Sequence, residues 1–123
     1  MMQTNKEIVT AFHQQVFVNG DLSNINKFVK EDYIQHNPEV ANGREGFVKF
    51  LHTLLQQKLQ YDTKNISADG DTVYVFYKTT DEQGHQSKTC DIYRLENGQI
   101  AEHWDVIEEN IEKIKSVNGN SVF

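Results

Sequence analysis

His103 and Asp105 are the residues of this chain best suited to moving a proton. They follow Ala101 at intervals of two in a run of strand-forming residues. Alternate residues of a strand lie on one face of its sheet, so an imidazole and a carboxylate would share that face with a small residue. If the face lines a cavity, the pair suits general acid–base catalysis. The alternative to a catalytic role is structural: His103 would be a packed side chain hydrogen-bonded to backbone, and Asp105 a polar residue at the point where the strand reaches solvent.

A second group of candidates lies earlier in the chain. His36 and Asn37 precede Pro38 in an irregular segment between predicted helices, and binding groups concentrate in such segments. Removal of a proton next to a carbonyl leaves an enolate oxygen that needs hydrogen-bond donors, and either side chain could donate. The alternative is a simple turn in which His36 caps the next helix.

Aromatic side chains could wall a cavity for a planar ligand or could simply form the core; they include Tyr33, Tyr77 and Trp104. His13, on the first predicted helix, is expected at the cavity mouth.

Composition excludes several classes of function. The chain has 123 residues and a net charge of −6, with no basic run or face, which argues against nucleic acid or an anionic membrane as partner. No segment approaches the ~18 apolar residues of a membrane span, and Met1–Lys6 has no apolar leader sequence. The only cysteine, Cys90, excludes an intrachain disulfide and favours a cytoplasmic location. Its place in a strand pattern favours a structural thiol over a catalytic one.

Metal and cofactor sites are not expected. His36, His103 and Asp105 offer the residue types of a two-histidine, one-carboxylate site, but no ligand pair is spaced along one helix. There is no glycine-rich phosphate loop, dinucleotide fingerprint or serine nucleophile motif.

The order of elements is helices first and strands after. A capping box of Thr4 and Glu7 opens a helix that ends at Asn19–Gly20. A short helix follows Asp21, the segment 32–38 is semi-extended, and a third helix runs over about 43–59. Four strands from about Tyr61 form an antiparallel meander, the last two joined by a type I′ turn at Asn97–Gly98. We therefore predict one α+β domain over 1–123, ordered over about 4–110 with a polar C-terminal tail, in which three helices cover a curved, mostly antiparallel sheet and leave a cone-shaped pocket.

Three strings in this order resemble the nuclear-transport-factor-2-like superfamily, and within it the SnoaL-like polyketide cyclases. They are Tyr33–Pro38, Gly43–Phe47 and Asp91–Asp105. The resemblance implies metal-free, cofactor-free intramolecular aldol condensation with Asp105 as acid/base, and a homodimer formed through the sheet. The family's histidine on the preceding strand falls at Asp91.

Steroid Δ-isomerases of the same superfamily resemble the chain at Asp91, which would be a hydrogen-bond donor inside the pocket; their oxyanion tyrosine falls at His13. An unbulged hairpin would put Asp91 opposite Trp104 and facing away from Asp105, so an inward Asp91 requires a β-bulge. We favour the bulge. Asn37 stands where those isomerases have their base, which argues against steroid isomerisation. The strand 72–80 lacks the Arg and Asp that a limonene-epoxide-hydrolase-like site needs.

The sequence thus favours an enzyme that performs aldol-type cyclisation or isomerisation on a small apolar or aromatic carbonyl compound. Asp105 and His103 would be catalytic. The residues expected to bind the substrate are His36, Asn37, Asp91, Tyr33, His13 and Trp104. The alternative is a ligand-binding domain that has the pocket without the chemistry.

Overall fold

A computed structural model describes residues 3–123; Met1 and Met2, on which the expectation about the N-terminus partly rests, lie outside the described residues. The helices are α1 (Asn5–Phe12), a π-helix (His13–Val18), α2 (Ile25–Phe28), α3 (Gly43–Leu55) and a 3₁₀ turn (Ile111–Lys113). The strands are β1 (Val29–Gln35), β2 (Gln60–Asp69), β3 (Thr72–Thr80), β4 (Gln86–Glu96) and β5 (Gln99–Glu109).

The sheet has five strands in the order β1-β5-β4-β3-β2. Strands β2 to β5 form the predicted antiparallel meander. Strand β1 was not predicted, and it occupies residues expected to form the end of the second helix and the semi-extended segment. It pairs parallel to β5, with Val29 opposite Ile100. Because β1 pairs with a strand far along the chain, no local pattern in the sequence indicates it. Helix α2 has only four residues, because β1 begins directly after it.

The first helix begins with the predicted capping box but changes from an α-helix to a π-helix along its length. Thr4 Oγ1 accepts the backbone N–H of Glu7, whose carboxylate accepts the N–H of Thr4. From His13 the helix becomes a π-helix and ends at Val18. Helix α3 ends at Leu55, before the predicted position near residue 59. The apolar faces of the helices cover the inner face of the sheet, where Phe12 makes edge contacts with Phe17, Phe28 and Tyr93.

The hairpin of β4 and β5 contains the bulge that an inward Asp91 requires. Asn97 and Gly98 have φ angles of 49° and 77°, as a type I′ turn requires. Leu95 pairs with Ile100 but Arg94 pairs with Glu102, so Ala101 is the extra residue. Beyond the bulge Asp91 lies opposite Asp105.

The C-terminal segment, expected as a loose polar tail, contacts the sheet. Ile111 is buried, the ring of Phe123 lies 5.6 Å from that of Phe76, and Lys88 Nζ donates to the carbonyl of Val122. Within residues 3–123, no helix combines the length and the apolar character needed to span a membrane.

Candidate active site

A cavity of about 430 Å³ lies between the helices and the inner face of the sheet. The helical side is apolar and includes Phe17, Phe47, Phe50 and Leu54. The sheet side is polar and follows the cross-strand pairs of β3, β4 and β5. One rung joins Tyr77, Thr89 and Ile107, the next brings Asp91 opposite Asp105, and the next brings Tyr93 opposite His103.

Gln35 determines which nitrogen of His103 carries a proton. Gln35 Oε1 accepts the backbone N–H of Asn37 at 3.0 Å, and Gln35 Nε2 donates to the hydroxyl of Tyr33 at 3.0 Å. Because the backbone N–H can only donate, the amide orientation of Gln35 is fixed. His103 Nδ1 lies 2.7 Å from the same Oε1 and must therefore be its donor. The other nitrogen, Nε2, faces the two carboxylates.

Asp91 and His103 are hydrogen-bonded to each other. His103 Nε2 lies 2.9 Å from Asp91 Oδ1, so either a protonated Asp91 donates to a neutral imidazole or an imidazolium donates to a carboxylate. Both residues are buried, at 4% and 6% exposure. The hydroxyl of Tyr77 donates to Asp91 Oδ2 at 2.7 Å. Burial first, and then the nearby Asp91 carboxylate, raise the pKa of Tyr77 well above its usual value, so this hydroxyl keeps its proton and remains a donor.

Among the described residues, Asn37 donates the one side-chain hydrogen bond that Asp105 accepts. Asn37 Oδ1 accepts the backbone N–H of Glu39 at 2.9 Å, which turns Asn37 Nδ2 toward Asp105. That nitrogen donates to Asp105 Oδ2 at 2.9 Å, and His103 Nε2 lies 3.9 Å from the same oxygen. The second N–H of the Asn37 amide has no partner among the described residues.

The structure brings four of the eight predicted site residues together around the cavity: Asn37, Asp91, His103 and Asp105. His36 and Trp104, predicted to bind the substrate, do not line it. Their rings stack at 4.9 Å and 1°, and His36 Nε2 is bonded to Glu102 at 2.6 Å. His36 follows Gln35 and Trp104 follows His103, and both of these preceding residues line the cavity. Neighbouring residues of an extended chain point in opposite directions.

Tyr33 and His13 are also absent from the cavity wall. Tyr33 is 1% exposed and lies behind Gln35. His13, expected at the mouth, is 3% exposed and its Nε2 lies 3.2 Å from Thr63 Oγ1. Its Nδ1 is buried without a hydrogen-bond partner among the described residues. Burial lowers the pKa of His13 below its usual value, although the nearby Asp91 carboxylate acts in the opposite direction.

Stability should therefore depend on pH through His13. Above a pH of about 6.5 the imidazole is neutral in both the folded and the unfolded chain, so it contributes nothing to the pH dependence of stability. Below it the unfolded chain takes up a proton that the folded chain refuses, so stability falls as the pH is lowered. We expect the free energy of unfolding to fall less steeply between pH 6.5 and 5 in His13→Phe, by at most about 1.4 kcal/mol per pH unit for one proton. Equal slopes in urea titrations of the two proteins would contradict this.

Gln35 is the site residue that sequence reasoning missed. Its signal was the period of two in β1, which places Gln35 on the same face as Tyr33 and directs it toward the segment that holds Asn37. Cys90, in contrast, lies one residue from Asp91 and faces away from the cavity, where burial raises the pKa of its thiol. It forms no pair with His103.

The two-histidine, one-carboxylate triad considered in the sequence analysis is divided in the structure, because His36 does not line the cavity. Ligand atoms of Asp91, His103 and Asp105 do lie within 4.8 Å of one another, a donor set that a small divalent ion can use. Asp91 and His103 are hydrogen-bonded to each other, Asp91 also accepts from Tyr77, and Asn37 donates to one oxygen of Asp105. The geometry thus requires no metal to explain their approach.

Comparison with solved structures shows the fold. A SnoaL-like polyketide cyclase from Agrobacterium tumefaciens aligns with a TM-score of 0.74 at 17% identity, covering 91% of this chain and 98% of that one. An NTF2-like protein of unknown function from Mesorhizobium loti has the same TM-score at 19% identity, with 85% and 90% covered. TsrD from Streptomyces laurentii aligns with a TM-score of 0.70 at 18% identity, with 88% and 92% covered. These likenesses confirm the predicted nuclear-transport-factor-2-like fold.

Sequence comparison identifies the family. No curated protein matches the chain. The model of the SnoaL-like domain matches residues 9–103, a range that contains Asn37, Asp91 and His103 and ends two residues before Asp105. This match covers most of the chain and confirms the predicted resemblance. The chain belongs to the SnoaL-like domain family.

Proposed function

We propose that this protein is an enzyme that needs no cofactor and removes a proton next to the carbonyl of a small, largely apolar substrate. The observation that carries the proposal is the Asp105 carboxylate on the wall of a cavity, bonded through one oxygen to an amide that has a second N–H to offer. Base and donor are thus adjacent, as an α-proton and its carbonyl oxygen are in a ketone.

The reaction divides into two proton transfers. Asp105 takes the α-proton, and the C–H electron pair moves into the enolate, whose oxygen the second N–H of Asn37 stabilises. In an aldol-type cyclisation the enolate carbon then forms a bond to a second carbonyl carbon, and the resulting alkoxide takes the proton from Asp105. In an isomerisation Asp105 returns the proton to a different carbon. His36, proposed from sequence as an alternative donor, has no part in this scheme.

The buried pair assists by controlling charge beside the base. With one proton between them, Asp91 and His103 add little net charge next to Asp105, whereas two bare carboxylates would repel each other. The apolar side chains of α3 that line the cavity would limit the access of water to the enolate. His103, 3.9 Å from Asp105, is positioned to pass a proton to it with a small movement of its ring.

Exchange of substrate protons tests this function without knowledge of the natural substrate. Cyclic and aryl ketones, including 1,3-diketones, would be incubated with the protein in D₂O, and loss of their α-proton signals followed by NMR. We expect exchange above the buffer rate for at least one ketone that binds. Binding without any exchange would overturn the enzymatic proposal and favour a ligand-binding protein.

We further propose that the protein is a homodimer formed through the outer sheet face, as the family resemblance implies. Two rungs on that face are apolar: Tyr74, Ile92 and Trp104 on one, and Phe76, Cys90 and Val106 on the next. Val106 is 68% exposed. Val106→Glu is therefore expected to produce monomers in analytical ultracentrifugation at concentrations where the wild type is dimeric. A monomeric wild type, or a variant that remains dimeric, would contradict this.

A further inference from the structure

The hydroxyl of Tyr93 is a buried polar group to which the proposed chemistry gives no role. Tyr93 lines the cavity and is 1% exposed, and its hydroxyl has no hydrogen-bond partner among the described residues. Within residues 3–123, the one side-chain polar atom that lacks a partner and is sealed from all open space is His13 Nδ1. The Tyr93 hydroxyl must therefore reach open space, and on this face of the sheet that space is the cavity.

The ring of Tyr93 is held in place by its neighbours. It makes an edge contact with Phe12, with ring centroids 5.5 Å apart at 82°, and its centroid lies 4.9 Å from that of His103. The ring packing thus fixes the direction of the hydroxyl without giving it a partner. A buried polar group without a partner costs stability, and such a group in a native structure calls for an explanation. A ligand in the cavity supplies one.

Tyr93 lies close to the proposed base. It is opposite His103 on β5 and one rung from the pair formed by Asp91 and Asp105. Tyr93 and Asp105 are therefore diagonal neighbours, a separation of about 7–8 Å that an aromatic side chain can span. Burial first, and then the Asp91 carboxylate, raise the pKa of Tyr93 well above its usual value. The phenol therefore keeps its proton and remains a donor.

We propose that Tyr93 is a further catalytic residue, whose hydroxyl donates to the carbonyl oxygen of the substrate beside the second N–H of Asn37. A carbonyl oxygen has two lone pairs and can accept both donors. Because negative charge develops on this oxygen as the α-proton leaves, a donor already in place stabilises the enolate more than the ketone. Tyr93 keeps its own proton, and the α-proton passes to Asp105. This inference rests on the proposed function for the identity of the ligand as a ketone.

Tyr93→Phe tests the role in the reaction, because it removes the hydroxyl and keeps the packed ring. We expect the rate of α-proton exchange to fall by about 10²-fold, the lower end of the effect of one oxyanion donor. The dissociation constant of the ketone should rise by about fivefold or less, since a neutral hydrogen bond contributes little to binding of the ground state. Tyr74→Phe, on the outer face and outside the cavity lining, should exchange at the wild-type rate. A wild-type exchange rate in Tyr93→Phe would overturn the inference and leave Asp105 as the base.

Stability separates this role from a structural one. Because the Tyr93 hydroxyl has no partner in the protein, Tyr93→Phe should unfold at a urea concentration equal to or above that of the wild type. Tyr77→Phe loses a hydroxyl that donates to Asp91 at 2.7 Å and should unfold at a lower concentration. If Tyr93→Phe were destabilised as much as Tyr77→Phe, the Tyr93 hydroxyl would be bonded within the protein and the inference would be wrong.

The carbonyl stretch of a bound ketone reports the hydrogen bond without any turnover. Acetophenone labelled with ¹³C at the carbonyl would be bound to the wild type and to Tyr93→Phe, and its stretch measured by isotope-edited infrared spectroscopy. Hydrogen bonds lower this frequency, so we expect a higher frequency in Tyr93→Phe; equal frequencies would overturn the inference. The frequency difference without proton exchange in the wild type would refute the proposed function and leave the Tyr93 contact standing. Failure of the ketone to bind either protein would overturn both.

Discussion

Replacing Asp105 by Asn is expected to lower the rate of α-proton exchange, and of the natural reaction, by about 10²- to 10⁴-fold. This is the range that a positioned general base contributes. The amide has the shape of the carboxylate and can still accept the hydrogen bond from Asn37, which is 2.9 Å long in the wild type. What it lacks is the ability to take a proton at neutral pH. NMR exchange rates of the two proteins on the same ketone would measure the effect.

Two controls separate a lost base from a damaged fold. Asp105→Asn should unfold at nearly the wild-type urea concentration, since its side chain remains half-buried and bonded. It should also bind the ketone with an affinity close to that of the wild type. A variant that folds and binds normally yet exchanges protons at the wild-type rate would show that Asp105 is not the base.

The second large effect concerns stability. Asp91→Ala leaves His103 Nε2 and the Tyr77 hydroxyl without their buried partner, both of which are bonded to Asp91 within 3 Å. Removing one member of a buried polar pair costs about 3–5 kcal/mol. We expect a loss of that size in the free energy of unfolding, measured by urea titration at pH 7.

Asp91→Asn is the matched variant for this prediction. Its Nδ2 can donate to the Nε2 of a neutral His103, while its Oδ1 still accepts the Tyr77 hydroxyl. Because both hydrogen bonds survive, the loss should stay below about 1.5 kcal/mol. If Asn were as destabilising as Ala, the pair would require a charged Asp91 and an imidazolium, and the description of one shared, transferable proton would be wrong.

The features that depend on only a few neighbouring residues were predicted correctly from the sequence. The capping box at Thr4 and the turn at Asn97–Gly98 form as expected, because each is set by the hydrogen bonds and backbone angles of a few residues. The turn alone predicts an unbulged register with Asp105 opposite Cys90. The bulge was expected from the resemblance to steroid Δ-isomerases, which places Asp91 inside the pocket, but its position at Ala101 was not predicted. These features place His103, Asp105 and Asp91 together.

Long-range packing decided the features that were missed. β1 is a strand because β5 offers it a parallel edge, and that pairing turned Gln35 toward His103 and left His36 outside with Trp104. His13, expected at the cavity mouth because it lies on the first helix, is instead buried at the start of the π-helix. Aromatic residues on strands are equally compatible with either face, so Tyr33 and Trp104 could be assigned only once the register was known.

The most direct test of Asp105 as the base is a crystal structure of Asp105→Asn in complex with an aryl ketone whose protons the wild type exchanges. This variant should bind the ketone without turning it over. We predict the ketone inside the cavity, with its α-carbon about 3–3.5 Å from the side chain of residue 105 and its oxygen within hydrogen-bond distance of Asn37 Nδ2. A ketone bound outside the cavity, or bound inside with its α-carbon beyond reach of residue 105, would contradict the assignment of Asp105 as the base.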